Sequence, residues 1–432
     1  MDHFRYQDGW LWCESMRADQ VAEVAGTPCY VYSRATLLDH YRRLRETFAA
    51  LDPLICYSIK SCANLSICRL LGAEGAGMDV VSGGELHRAM AAGVPAGRCV
   101  YAGVGKSDAE IQAALQAGVG VLNIESEEEF ENVSRIAARL GRGCRAALRI
   151  NPDVDPKTHR YTTTGRKETK FGVDLERARA FFRRYGRDPL ARLEGLHLHI
   201  GSPIYSPQPY VESIRKALQL KAELESEGFQ IRTLDMGGGF GADYESGQTP
   251  PWRDYATAIV PLLQPHHAAG LQIILEPGRT LVANAGVLLT RILYMKHSGD
   301  RRFAICDAGM QTLLRPSHYE AFHFIWPANP GPDHQPARRG KDPGVPGLTP
   351  VDVVGPLCET GDFLALERPL PSMKRGDLLA IYTAGAYGMS MASRYNSTPL
   401  PAEVLVDGAE ARVIRRRETY EDLVAHETAI GA

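Results

Sequence analysis

A chain of 432 residues exceeds what one ordinary hydrophobic core supports, so two domains are expected. Its 44% hydrophobic and 23% charged content is that of a globular protein, and a net charge of -2 leaves no electrostatic footprint for nucleic acid or an anionic membrane. No apolar run is long enough to span a bilayer, and Met1-Asp2-His3-Phe4-Arg5 does not open an apolar signal core. The nine cysteines form no CxxC pair and no Cys/His zinc spacing, which implies no metal centre and a reduced, cytoplasmic protein.

From Pro28 onward, short apolar runs alternate with longer amphipathic stretches. The runs at 54–59, 77–81, 99–102, 119–124, 145–150, 193–200, 232–236 and 272–275 predict strands. Helical periodicity covers 83–92, 108–116, 126–140, 175–185, 209–228 and 255–263. Alternation of this kind repeated eight times predicts a parallel (β/α)8 barrel. An open doubly wound sheet is the alternative, but no glycine-rich fingerprint follows the first strand.

Chemistry in such a barrel gathers at the C-terminal strand ends. There the sequence places Lys60, Asp79 with Ser82-Gly83-Gly84-Glu85, Gly103-Val104-Gly105-Lys106, Glu125, Asn151-Pro152, His197 and His199 with Gly201-Ser202, Gly237-Gly238-Gly239, and Glu276-Pro277-Gly278-Arg279. Lys60 closes the apolar run Leu54-Ile55-Cys56-Tyr57-Ser58-Ile59. A lysine at the mouth of a buried strand can be desolvated enough to free its lone pair for a Schiff base; as a bare surface lysine it would only cap the strand. The triple glycine lets backbone amides approach a phosphate closely, although a tight turn would need glycines too.

Beyond Arg279 the character changes. The stretches 280–295, 302–307 and 377–382 are β-rich, and Val404-Leu405-Val406 and Arg412-Val413-Ile414 flank a hairpin signal, Asp407-Gly408-Ala409-Glu410. A second, β-rich domain is expected. The segment 327–350, dense in Pro and Gly and carrying Arg338-Arg339, reads as a mobile surface loop.

Nine pieces, in order, carry a resemblance: Tyr57-Ser58-Ile59-Lys60; Asp79-Val80-Val81-Ser82-Gly83-Gly84-Glu85-Leu86; Lys170-Phe171-Gly172; His197-Leu198-His199-Ile200-Gly201-Ser202; Gly237-Gly238-Gly239-Phe240-Gly241; Glu276-Pro277-Gly278-Arg279; Asp307-Ala308-Gly309-Met310; Gly355-Pro356-Leu357-Cys358-Glu359-Thr360-Gly361-Asp362; and Gly385-Ala386-Tyr387-Gly388. Through them the chain resembles the fold-type III pyridoxal-phosphate decarboxylases over nearly its full length. The resemblance implies an alanine-racemase-like TIM barrel at 24–278 and a C-terminal β-barrel or β-sandwich formed by 1–23 with 279–432. It also implies pyridoxal 5'-phosphate as cofactor.

The roles that follow are those of the family. Lys60 would hold the cofactor through its amine, with Asp79 in support; His199 would lie against the ring, and Glu276 would pair with its nitrogen. Ser202, Gly239, the backbone of Gly278 and Arg279, and Tyr387 would receive the phosphate. Cys358 would protonate the carbon left by carbon dioxide, from a loop that enters the neighbouring subunit's site, so a homodimer is implied. Arg279, Arg315 and Tyr319, together with Tyr387, would hold a substrate's far carboxylate end, and Glu359 its far ammonium. That pairing implies meso-2,6-diaminopimelate as substrate and L-lysine as product.

Three departures stand out: Ser61-Cys62 intervenes before Ala63-Asn64, Pro203 replaces a usual glutamine, and 327–350 is long for the family. Competing readings are a decarboxylase of another diamino acid or a carrier-bound one, an amino-acid racemase, and a non-catalytic cofactor carrier. A racemase needs a second base where Cys358 stands, and a carrier would resemble the barrel alone.

Overall fold

A computed structural model describes residues 2–155 and 170–428 of the chain. Two compact units are distinguished: His40–Gly241 with Thr249–Thr280, and Met1–Asp39 with Ala242–Gln248 and Leu281–Ala432.

In the first unit eight parallel strands, Leu54–Ser58, Gly77–Val80, Cys99–Tyr101, Val121–Ile124, Cys144–Asn151, Ala191–His197, Thr233–Asp235 and Gln272–Leu275, pair in chain order. The last returns to the first, with Ile274 opposite Leu54 and Leu275 opposite Ile55. The parallel sheet is therefore barrel-like, and the open doubly wound alternative is excluded, because an open sheet keeps two unpaired edges. Cys56, Val100, Val121, Ala147 and Ile274 form a buried apolar cluster on these strands. All eight expected strands are present, shortened or extended by a few residues at their ends.

Helix starts follow the caps written in the sequence. Asn64, Ser82, Ser126 and Asp174 each accept a backbone N–H of the helix that follows, and Ser107 with Glu110 makes a full capping box. Each cap directly follows a strand end or a short loop, so the cap decides where the chain turns back. The helix Leu65–Ala73 has no counterpart among the expected ones.

In the second unit a mixed sheet runs in the order Phe363–Leu370, Thr349–Val354, Arg301–Cys306, Gly286–Ser298, Cys29–Ser33, Ala402–Asp407 and Glu410–Arg415. Leu378–Ile381 pairs with both Gly286–Ser298 and Ile325–Pro327. The hairpin expected at Asp407–Glu410 forms, with Gly408 in the left-handed region at φ 61°. Two expectations are corrected. Residues 280–282 are not strand but part of a helical turn, Arg279–Val282, and the strand begins only at Gly286. The segment 327–350 is not a loose loop. Arg339 pairs with Asp2 at 2.5 Å, donates to the Phe4 carbonyl and lies 4.3 Å over the Tyr382 ring, which ties the segment down. Cys29–Ser33, an apolar run buried at all five residues, went unread. Among the described residues no helix is long and apolar enough to cross a membrane.

Candidate functional site

At the strand ends of the barrel-like unit, Lys60 sits in the turn Ile59–Ser61 that follows the first strand. Its Nζ lies 3.1 Å from Oδ2 of Asp79, which stands opposite Ser58 on the adjoining strand. Ser58 Oγ donates to the same oxygen at 2.5 Å. The other oxygen, Asp79 Oδ1, is buried and finds no hydrogen-bond partner among the described residues. Burial, and then the charge of Glu276, raise the Asp79 carboxyl above its ordinary range, against the pull of Lys60 and Ser58.

His199 lies just beyond the sixth strand. Gly238 N–H donates to its Nδ1 at 3.3 Å, which leaves the ring proton on Nε2 in the neutral form. Burial, with the charges of Lys60 and Arg149, holds this imidazole well below its ordinary value, so it stays neutral near pH 7. Behind it, Arg149 reaches the His199 carbonyl at 3.4 Å and pairs with buried Glu125 at 3.0 Å.

Glu276 directly follows the eighth strand. Its Oε2 faces His197 Nε2 at 3.4 Å, and Asn123 Nδ2 approaches Oε1 at 3.4 Å. Burial opposes its ionisation, but the His197 charge and hydrogen bond, with the charge of Lys60, outweigh it and hold the carboxyl below the usual range. The neighbouring Asp235 is driven the other way, upward, by burial and by the charge of Glu276. Of two buried carboxyls side by side, one keeps the charge and the other the proton.

Gly237 and Gly239 have φ of 67° and 99°. A Cβ on Gly237, Gly238 or Gly239 would run into the carbonyl oxygens of Leu198, Glu276 and Gly201 respectively, so only glycine fits this turn. Beside it, Arg279 Nε donates to Ser202 Oγ at 3.1 Å, and Gly278 packs so closely on Ser58 that a Cβ would sit 2.9 Å from Ser58 Cβ.

The remaining predicted residues belong to the β-rich unit. Arg315 and Tyr319 share one short helix, Arg315–Tyr319, with Arg315 buried and Tyr319 half-buried. Cys358 and Glu359 are exposed on the loop between Thr349–Val354 and Phe363–Leu370. Asp362 anchors that loop by accepting Leu357 N–H at 2.7 Å and Met310 N–H at 2.6 Å, and so joins two of the sequence motifs. Asn396 Nδ2 donates to Cys358 Sγ at 3.3 Å, and the Tyr395 hydroxyl donates to Glu359. Half-buried Tyr387 carries a left-handed φ of 56°, unusual for a residue with a side chain. All nine cysteines are free thiols, and Cys358 alone is exposed.

Sequence reading gave no role to Asn123, Arg149, Asp235, Tyr395 and Asn396. For the first three a signal existed: a polar residue inside an otherwise apolar buried strand, as in Val121-Leu122-Asn123-Ile124, must have a partner. For Tyr395 and Asn396 there was none, since both lie in an irregular polar loop far from Cys358 in the chain.

Comparison with known proteins gives this geometry a setting. The family profile "Pyridoxal-dependent decarboxylase, pyridoxal binding domain" matches residues 34–283. Diaminopimelate decarboxylase of Neisseria meningitidis serogroup A is 44% identical over 419 residues, 97% of this chain and 99% of that one. That of Aquifex aeolicus is 42% identical over 423 residues, 98% of this chain and 96% of the other. The crystal structure of the M. jannaschii diaminopimelate decarboxylase in co-complex with L-lysine matches with a TM-score of 0.90 at 35% identity, covering 99% of this chain and 98% of that one. The chain belongs to the pyridoxal-dependent decarboxylases and, among them, to the diaminopimelate decarboxylase family.

Its cofactor is pyridoxal 5'-phosphate, and the residues present fit that group. They offer a primary amine beside a carboxylate, a buried Asp79 oxygen without a partner among the described residues, a glycine turn that admits no side chain, and the Glu276 carboxylate held ionised by His197 and Lys60.

Proposed function

We propose that this protein decarboxylates meso-2,6-diaminopimelate to L-lysine and carbon dioxide, the last step of lysine biosynthesis. The observation that carries the proposal is identity of 42% to 44% with diaminopimelate decarboxylases over almost the whole chain, with Lys60 and Asp79 paired at the strand ends.

When bound, the cofactor supplies an electron sink for the bond that breaks. Lys60 holds it through its amine, which Asp79 orients. Glu276, kept ionised by His197, holds a proton at the ring nitrogen. His199, neutral and fixed by Gly238, would flank the cofactor without adding a charge. Ser202, Gly239, the amides of Gly278 and Arg279, and Tyr387 receive the phosphate. The Cys358 thiol would hold the proton that takes the place of carbon dioxide on the carbon, and solvent would restore that proton to the sulfur. Arg315, the Arg279 side chain, Tyr319 and Tyr387 hold the substrate's far carboxylate, and Glu359 its far ammonium.

The reading extends to a homodimer in which the Cys358-Glu359 loop of one subunit serves the Lys60 site of the other. It also takes the first unit as a (β/α)8 TIM barrel of the alanine-racemase type, the second as a β-barrel or β-sandwich, and the cytoplasm as the compartment. Purified protein supplied with pyridoxal phosphate is expected to release carbon dioxide and lysine from meso-diaminopimelate, and to leave lysine, ornithine and arginine untouched. Turnover of one of those three instead would overturn the substrate, and no turnover at all would overturn the activity.

A further inference from the structure

Ser58, the last residue of the first strand of the barrel-like unit, stands opposite Asp79 and just ahead of the turn that carries Lys60. Hydrogen bonds engage all of its polar groups. Its N–H donates to the Pro277 carbonyl at 3.0 Å, its carbonyl accepts the Ser61 hydroxyl at 2.7 Å, and its own hydroxyl meets Asp79 Oδ2 at 2.5 Å. That same carboxylate oxygen accepts the Lys60 amine at 3.1 Å. An oxygen that accepts from an ammonium group carries no proton of its own, so the serine hydroxyl is the donor. A proton on the other oxygen, Asp79 Oδ1, would be a buried donor with nothing to meet among the described residues. The short Ser58 contact is that of a hydroxyl on an ionised carboxylate. Ser58 and Asp79 are both buried, so water does not compete for either group.

The two donors on Asp79 do different work. Burial and the charge of Glu276 favour a proton on this carboxyl, and Lys60 and Ser58 oppose it. A proton on Oδ2 would displace both donors and let the Lys60 amine turn away. Lys60 has a second task, since its amine must engage the cofactor. The serine hydroxyl has none, and it stays on the carboxylate whatever the amine does. We propose that Ser58 is a positioning residue, which by donating to Asp79 Oδ2 pins that carboxylate toward the Lys60 amine and so tightens the hold on pyridoxal phosphate. The proposal rests on the reading of Lys60 and Asp79 given above. The groups that face Asp79 in this region are Lys60 and Glu276, and its charge is also felt by Cys56, Glu85 and Asp235.

The test is a double-mutant cycle read on the cofactor rather than on turnover. Equilibrium dialysis of the holoenzyme against graded pyridoxal 5'-phosphate gives the dissociation constant. Ser58→Ala, which removes one oxygen and adds nothing, is expected to raise that constant by roughly tenfold. Asp79→Ala should raise it further. Adding Ser58→Ala to Asp79→Ala should then change it by no more than roughly twofold, because the group through which the hydroxyl acts is already gone. A serine that only filled space would give the same loss in both backgrounds. The pH profile supplies a second readout. Cofactor loss toward acid pH should begin roughly one pH unit higher in Ser58→Ala, since Asp79 without its hydroxyl donor takes a proton sooner. Full additivity, an unchanged constant in Ser58→Ala, or an unmoved profile overturns the proposal. Should Asp79→Ala fail to fold, the constant and the profile of Ser58→Ala decide by themselves. Asp79→Ala also separates this inference from its premise. If that variant leaves the dissociation constant unchanged, the reading of Asp79 fails; if it raises the constant while Ser58→Ala does not, only the role of Ser58 fails.

Discussion

Asp79, Glu276, Asp235 and His197 are all but removed from solvent, whereas Cys358 and Glu359 stand exposed on a loop. In the first group, burial makes the charges speak to one another. Asp79 and Asp235 are pushed up, Glu276 is held down, and His199 is kept neutral, each through the others. In the second group the contacts are few: Asn396 on the sulfur, Tyr395 on the carboxylate, and Asp362 under the loop. The difference teaches how the two kinds of task are built. A cofactor that stays needs a rigid, preorganised electrostatic seat, while groups that meet a substrate entering and leaving stand on a loop pinned at a few points.

That contrast can be broken at its strongest point first. Lys60→Ala should remove the bound-cofactor absorbance and lower turnover on the order of 10³-fold or more. A variant with an unchanged spectrum would take Lys60 out of the cofactor seat and dissolve the comparison.

Next comes the loop. Cys358→Ala should keep the cofactor spectrum and lose roughly 10²- to 10³-fold in turnover, since proton delivery is lost while the seat is untouched. Native protein treated with iodoacetamide should gain one adduct by intact mass, at Cys358, because the other eight thiols are buried. Burial pushes Cys29, Cys99 and Cys144 up to about 12, about 11 and about 12. Full activity in the alanine variant, or alkylation spread over several thiols, would erase the distinction between loop and seat.

The smallest effect sharpens the comparison through pH. His199 is depressed in the folded protein from an ordinary value of 6.5, so below that pH the unfolded chain binds a proton that the folded one refuses. The stabilisation from its neutral form is therefore complete above that pH and is lost as the pH falls, by up to about 1.4 kcal/mol per pH unit. Asp79, raised on folding, works in the opposite sense, since its folded carboxyl takes up a proton before the unfolded one does. Urea unfolding followed from about pH 7.5 down to about pH 5.5 should show a shallower decline for His199→Gln than for the natural protein. Parallel curves would show that His199 is not held neutral by its surroundings.

Much of this was legible in the chain itself. Short apolar runs separated by capped amphipathic stretches need little beyond local periodicity, and the eight strands of the barrel-like sheet came from that signal alone. The polar residues at their ends, Lys60, Asp79, His199 and Glu276 among them, were legible by their place just after the expected strands, and the roles expected of them came from the family resemblance. Cys29–Ser33 and Ile325–Pro327 were not read as strands. Arg339 reads as half of a surface basic pair, yet its partner Asp2 lies at the other end of the chain, where no local window finds it.

The sequence by itself determined the order of elements, the caps that start the helices and the types of side chain at each strand end, because these depend on neighbours within a few residues. Only the tertiary structure decided which carboxyl keeps its charge and which nitrogen of His199 carries the proton. Those outcomes turn on burial and on distances of about 3 Å between residues remote in the chain, and a linear string of residue types records neither.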